Sequence, residues 1–104
     1  MTPAYASLAA VTYSARALAD LDRRFDFLAA ENPNAAIAAA TLIVEAVTML
    51  ERHPHIGRPV RGHLRELVIS YGRTGYVALY RAGSRGDRVE ILALRHQREA
   101  GYRS

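Results

Sequence analysis

Six side chains in the C-terminal half have the chemistry to act on a phosphate: Arg65, Arg81, Arg95, His96, Arg98 and Tyr102. Cleaving RNA through its 2′-hydroxyl needs a base for the hydroxyl proton, an acid for the leaving oxygen and cations over the phosphate. A histidine, with an unperturbed pKa of about 6.5, suits base or acid duty, and arginines stabilise charge developing on phosphorus. Tyr102 could orient or stack a base. The plainer reading leaves Arg95 and Arg98 in solvent, packs His96 at a strand end and lets Tyr102 pin the C-terminus. A protein-docking surface is the third reading. All fourteen cationic residues are arginine, whose planar guanidinium binds carboxylate or phosphate through two parallel bonds.

These residues must be held by a small sheet. Leu64 to Ser70, Tyr76 to Ala82 and Arg88 to Leu94 are β-rich runs joined by glycine-containing connections, the pattern of an antiparallel meander. Arg65, Arg81 and Arg95 fall at a strand start and two strand ends, positions able to converge on one sheet edge. Tyr71, Tyr76 and Tyr80 are expected to pack in the core or across strands. Leu67-Val68-Ile69 and Ile91-Leu92-Ala93-Leu94 are apolar on both faces, so one face should cover helices and the other should be covered by tail, neighbour or partner.

Upstream, Tyr5 to Tyr13 has strand character and ends at Ser14, a residue that caps helices. From Ala15 the spacing of Leu18, Leu21, Phe25 and Leu28 predicts an amphipathic helix. Asn32-Pro33 ends it and opens a second, expected to run to about His53. That helix carries two apolar stripes, Ile37, Ala40, Val44, Val47, Leu50 and Ala39, Leu42, Ile43, Ala46, Met49, so it is either sandwiched or awaiting a partner. His55 to His63 reads as a loop with a turn at Gly57-Arg58-Pro59. Arg58 and Arg61 could pair there with an acidic segment, and Arg65 with its neighbour Glu66.

The expected architecture is therefore α+β in the order β-α-α-β-β-β, one domain over residues 1–104. Composition agrees, with half the residues apolar and 23% charged. Net charge is +4, unevenly spread: residues 1–57 hold four arginines against six acids (−2), residues 58–104 ten against four (+6). The positive half is suited to a polyanion or an acidic protein. With no cysteine, disulfides, thiolate–zinc sites and thiol catalysis are excluded and a cytoplasmic setting is the default. The four histidines lack ligand spacing, phosphate-loop and dinucleotide motifs are absent, and no metal or cofactor is expected. Neither a secretory leader nor a membrane-length apolar window is read.

In order and wording the chain resembles the RelE/ParE toxin superfamily, and within it the ParE-like branch. The resemblance rests on Tyr13-Ser-Ala-Arg-Ala-Leu-Ala-Asp-Leu21, Asn32-Pro33 and His53-Pro-His-Ile-Gly-Arg-Pro59. It continues through Leu64-Arg-Glu-Leu-Val-Ile69, Gly75-Tyr-Val-Ala-Leu-Tyr-Arg81 and Arg88-Val-Glu-Ile-Leu-Ala-Leu-Arg-His96. It implies a helical hairpin on a small curved antiparallel sheet, and a cognate antitoxin whose acidic, amphipathic C-terminal segment wraps the toxin. Leu42, Ile43, Met49, Arg58, Arg61, Arg65, Arg81, Arg95 and Arg98 are then the expected antitoxin- or target-binding residues. ParE-like members poison DNA gyrase, whereas RelE-like members cleave mRNA on the ribosome with basic residues that include lysine. Lysine is absent here, so gyrase inhibition leads. The nuclease would lean on Arg65, Arg81, Arg95, His96 and Tyr102. A non-toxic RNA-binding or structural partner module is the third possibility.

Overall fold

The computed structural model describes residues 8–71 and 74–97. Its elements are β1 (Ala10–Tyr13), α1 (Ala15–Glu31), α2 (Pro33–Thr48) continued by a 3-10 turn (Met49–Glu51), β2 (Arg58–Arg61), β3 (Leu64–Tyr71), β4 (Thr74–Ala82) and β5 (Arg88–His96). The strands form one five-stranded sheet ordered β1-β5-β4-β3-β2. The meander of β3, β4 and β5 is antiparallel as expected, but β1 lies parallel to β5, so the sheet is mixed.

Two further expectations need correcting. β1 begins at Ala10, so residues 8 and 9 of the expected strand are outside it, and residues 5–7 lie outside the described residues. The segment read as a loop from His55 contains β2, which pairs Arg58 with Glu66 and Arg61 with Leu64. Its proline masked it, yet an edge strand tolerates a residue without an N–H.

Both helices start on designed caps. Ser14 Oγ accepts from the Ala17 N–H at 3.0 Å, and Asn32 Oδ1 accepts from Asn34 and Ala35 N–H groups at 3.0 and 3.3 Å, with Pro33 in the first turn. The second helix closes earlier than expected, at Thr48, because the chain tightens into the 3-10 turn ahead of His53. Pro33–Glu51 is 19 residues long with an 18-residue window of mean hydropathy 1.5, long and apolar enough to cross a membrane, contrary to the expectation of no such window. In this fold Ala39, Ile43, Val47 and Leu50 of this segment are buried in the core shared with the sheet.

That core is completed by Ile69, Tyr76, Ala78, Tyr80, Val89, Ile91 and Leu94 from the helix-facing side of the sheet. α1 departs from its expected stripe. Leu18 and Phe25 are exposed, whereas Ala17 and Asp20 are buried. The cause lies in β5, where the register with β4 slips between Leu79 and Tyr80. Beyond Ile91, β1 has ended and the outer edge of β5 lacks a strand partner. Side chains from the start of α1 replace it: Ser14 Oγ donates to the Leu92 carbonyl at 3.0 Å, and Asp20 Oδ2 accepts from the buried Leu94 N–H at 2.9 Å. Asp20 Oδ1 also accepts from Arg23 at 2.7 Å, which keeps a buried carboxylate charge-compensated.

Candidate functional site

Residues paired across neighbouring strands share a face, and successive residues alternate. Arg65 pairs with Tyr80 and His96 with Tyr76, placing both on the helix side at opposite ends of β4. Arg95 pairs with Val77 and Arg81 with Glu90, on the side away from the helices. The four described members of the nuclease set therefore do not meet on one surface. Arg98 and Tyr102 lie outside the described residues.

Each described member has local work. Arg65 Nη1 donates to the carbonyls of His55 (3.0 Å) and Gly57 (2.8 Å). From the other side, the Gly57 N–H donates to Tyr80 Oη at 2.8 Å. Together they hold the turn against the sheet, and no side chain fits: a Cβ on Gly57 would sit 2.6 Å from the Tyr80 ring and 2.7 Å from the Glu66 carbonyl oxygen. Burial pushes the Tyr80 phenol above its ordinary 10.0, against the smaller lowering influences of the Gly57 bond and Arg65. His96 stands edge-on to Tyr76, ring centroids 5.5 Å apart and planes at 84°.

On the opposite face Glu66 is the organising acid. Its Oε1 accepts from Arg58 Nη2 at 2.7 Å and Nε at 3.1 Å, and its Oε2 lies 3.9 Å from Arg95 Nη2. The expected pairing of Arg65 with Glu66 is thus replaced by Arg58 and Arg95, because adjacent strand residues point to opposite faces. Arg95 is only 15% exposed and also donates to the His96 and Gln97 carbonyls. Arg81 bonds Glu90 at 2.8 Å, and Arg61 is exposed on β2.

Among the apolar residues expected to meet a partner, Met49 is half-exposed and Leu42 partly buried. Ile43 is corrected: at 1% exposure it belongs to the core, since the inward stripe of α2 draws from both stripes seen in the sequence. The exposed apolar residues of the hairpin are instead Leu18, Phe25, Phe27, Ile37, Val44 and Met49. Sequence reasoning also missed Asp20, Arg88 and Glu90. For Asp20 the available signal was Arg16 and Arg23 at helical spacing around an acid on the inner side of α1. Among the described residues no cluster of His and acids has the makings of a metal site.

Two helices laid on one side of a mixed five-stranded sheet define the RelE/ParE-like toxin fold. A solved chromosomal ParDE toxin–antitoxin system from P. aeruginosa superposes with a TM-score of 0.70 at 26% identity, covering 85% of this chain and 95% of that one. The toxin–antitoxin complex RelBE2 from Mycobacterium tuberculosis shares the fold at TM-score 0.58 and 24% identity, over 88% and 94% of the two chains. Toxin RelE3 of Caulobacter vibrioides is 37% identical over 84 residues, 81% of this chain and 89% of the relative. Toxin RelE1 of the same organism is 33% identical over 86 residues, 83% and 90% respectively. Residues 11–101 match the family described as ParE toxin of type II toxin–antitoxin system, parDE, and the chain belongs to that family.

Proposed function

We propose that the chain arrests growth by binding DNA gyrase in the ParE manner and is neutralised by a cognate antitoxin, whose apolar segment covers the exposed hairpin residues Leu18, Phe25, Ile37, Val44 and Met49. The observation that carries a binding mode over RNA cleavage is the dispersal of the acid/base set. His96 and Arg95 face opposite sides of the sheet, and Arg65, Arg81 and Arg95 are each engaged by carbonyls or carboxylates. General acid/base work requires those groups within hydrogen-bond reach of one substrate.

Supercoiling by purified gyrase, with toxin alone and with toxin plus antitoxin, tests this. Inhibition relieved by the antitoxin is expected; undisturbed supercoiling with cleavage of ribosome-bound mRNA overturns it. The second reading draws support from relatives named RelE toxins. It requires that His96→Ala and Tyr102→Ala abolish toxicity while antitoxin binding persists. Absence of growth arrest on induction would leave a non-toxic partner module.

A further inference from the structure

The face of the sheet away from the helices carries a cleft of about 520 Å3 at the end nearest the β4–β5 connection. Its walls follow from strand register. Thr12, Glu90 and Arg81 form one row across β1, β5 and β4. In the next row Arg88 is paired with Ala10 on one side and bonded through its carbonyl to the Gly83 N–H at 2.9 Å on the other. A methyl group and a hydrogen are the smallest side chains a strand can offer, so the surface sinks on both sides of the Arg88 guanidinium. The volume falls in the range of sites that enclose a small group.

Charge in the cleft is uneven. Arg81 is neutralised by Glu90 at 2.8 Å. Arg88 is exposed, and among the described residues no ion pair or side-chain hydrogen bond engages its guanidinium. One uncompensated cation, two small apolar positions and the Thr12 hydroxyl, whose proton is held only by a long 3.5 Å bond to the Val89 carbonyl and can turn to a better acceptor, suit a single carboxylate with apolar flanks. A phosphodiester chain would require a run of such cations, and the other arginine lining the cleft, Arg81, is already taken up by Glu90.

We propose that this cleft receives an acidic side chain of the target protein, its carboxylate bound by Arg88 and the Thr12 hydroxyl, with small apolar neighbours seated over Ala10 and Gly83. The assignment to the target rests on the protein-docking reading above: the cleft faces away from the hairpin that the antitoxin is proposed to cover. A protein carboxylate, not a nucleic acid, is the occupant.

Amide resonances of the full-length chain, followed by NMR, provide the binding test. The probes are the capped peptide acetyl-Ala-Asp-Val-amide, its Asn counterpart, inorganic phosphate and a short single-stranded oligonucleotide. The Asp peptide is expected to move Thr12, Arg88 and Glu90 and the Asn peptide to leave them in place. Arg88→Ala should weaken binding at least about tenfold, the order for losing a hydrogen bond to a charged group, and Ala10→Leu should weaken it by filling the hollow. Both variants are judged folded by an unchanged spectrum elsewhere. No movement at these residues, or tighter binding of phosphate or oligonucleotide there, overturns the site. Supercoiling separates this from the functional reading. Peptide binding by a wild-type chain that leaves gyrase untouched keeps the site and removes gyrase as the target. Equal inhibition of gyrase by wild type and Arg88→Glu removes the cleft from target binding.

Discussion

The two faces of the sheet use charge in opposite ways. On the helix side, where Tyr76, Tyr80, Ile91 and Leu94 are almost fully buried, the charged groups serve the backbone: Asp20 accepts from the Leu94 N–H, and Arg65 donates to the carbonyls of His55 and Gly57. On the other side charges serve one another, as Arg58 and Arg95 do with Glu66 and Arg81 does with Glu90. Inside, a side chain replaces a missing backbone partner, and losing it strands a buried polar group. Outside, the solvent-exposed Arg81–Glu90 pair can be replaced by water if lost, whereas Glu66, at 8% exposure, depends on Arg58 and Arg95. The inner charges and Glu66 should therefore govern stability, and the exposed outer charges recognition.

Gly57→Ala should produce the largest loss on the inner side, about 3 kcal/mol, because the new methyl overlaps Tyr80 and the Glu66 backbone and the turn must leave the sheet. Denaturant melts would show it, and a loss no larger than an ordinary surface substitution would break the comparison. Asp20→Ala should cost about 2 kcal/mol by leaving the Leu94 N–H unsatisfied, with accelerated hydrogen exchange at that amide as its signature.

The phenols of Tyr13, Tyr76 and Tyr80 are all pushed above 10.0 by burial, with Arg24 opposing the shift at Tyr76. As pH rises past that value the unfolded chain releases phenolic protons that the folded chain keeps, so the contribution present below pH 10.0 is lost toward the raised folded values. The melting temperature should fall through this window, and Tyr80→Phe should make the fall shallower while costing about 1 kcal/mol at neutral pH for the orphaned Gly57 N–H. Glu90→Gln, on the outer face, should change stability by no more than about 0.5 kcal/mol. A cost matching that of Asp20→Ala would erase the distinction between the faces.

Much of this organisation was legible in local sequence. Ser14 and Asn32-Pro33 announced the helix starts, and β3 to β5 with their glycine connections announced the meander. What escaped depends on contacts distant in sequence. No local pattern says that β1 runs parallel to β5, and the short Arg58-Pro59-Val60-Arg61 segment becomes a strand only because β3 offers an edge. Likewise Asp20 looked like surface until the slipped register of β5 exposed a backbone donor for it. The site residues failed to converge for a related reason: sequence places Arg95 and His96 side by side, but a strand sends them to opposite faces.

The Ser14–Leu92 and Asp20–Leu94 bonds join residues 78 and 74 positions apart. During synthesis the hairpin, whose contacts are mostly local, can assemble early, while β1 and the polar groups of α1 wait for the last described strand to emerge. A nascent chain thus has the surface proposed for the antitoxin before it has the sheet proposed for gyrase. Order of completion alone would give neutralisation a head start over harm.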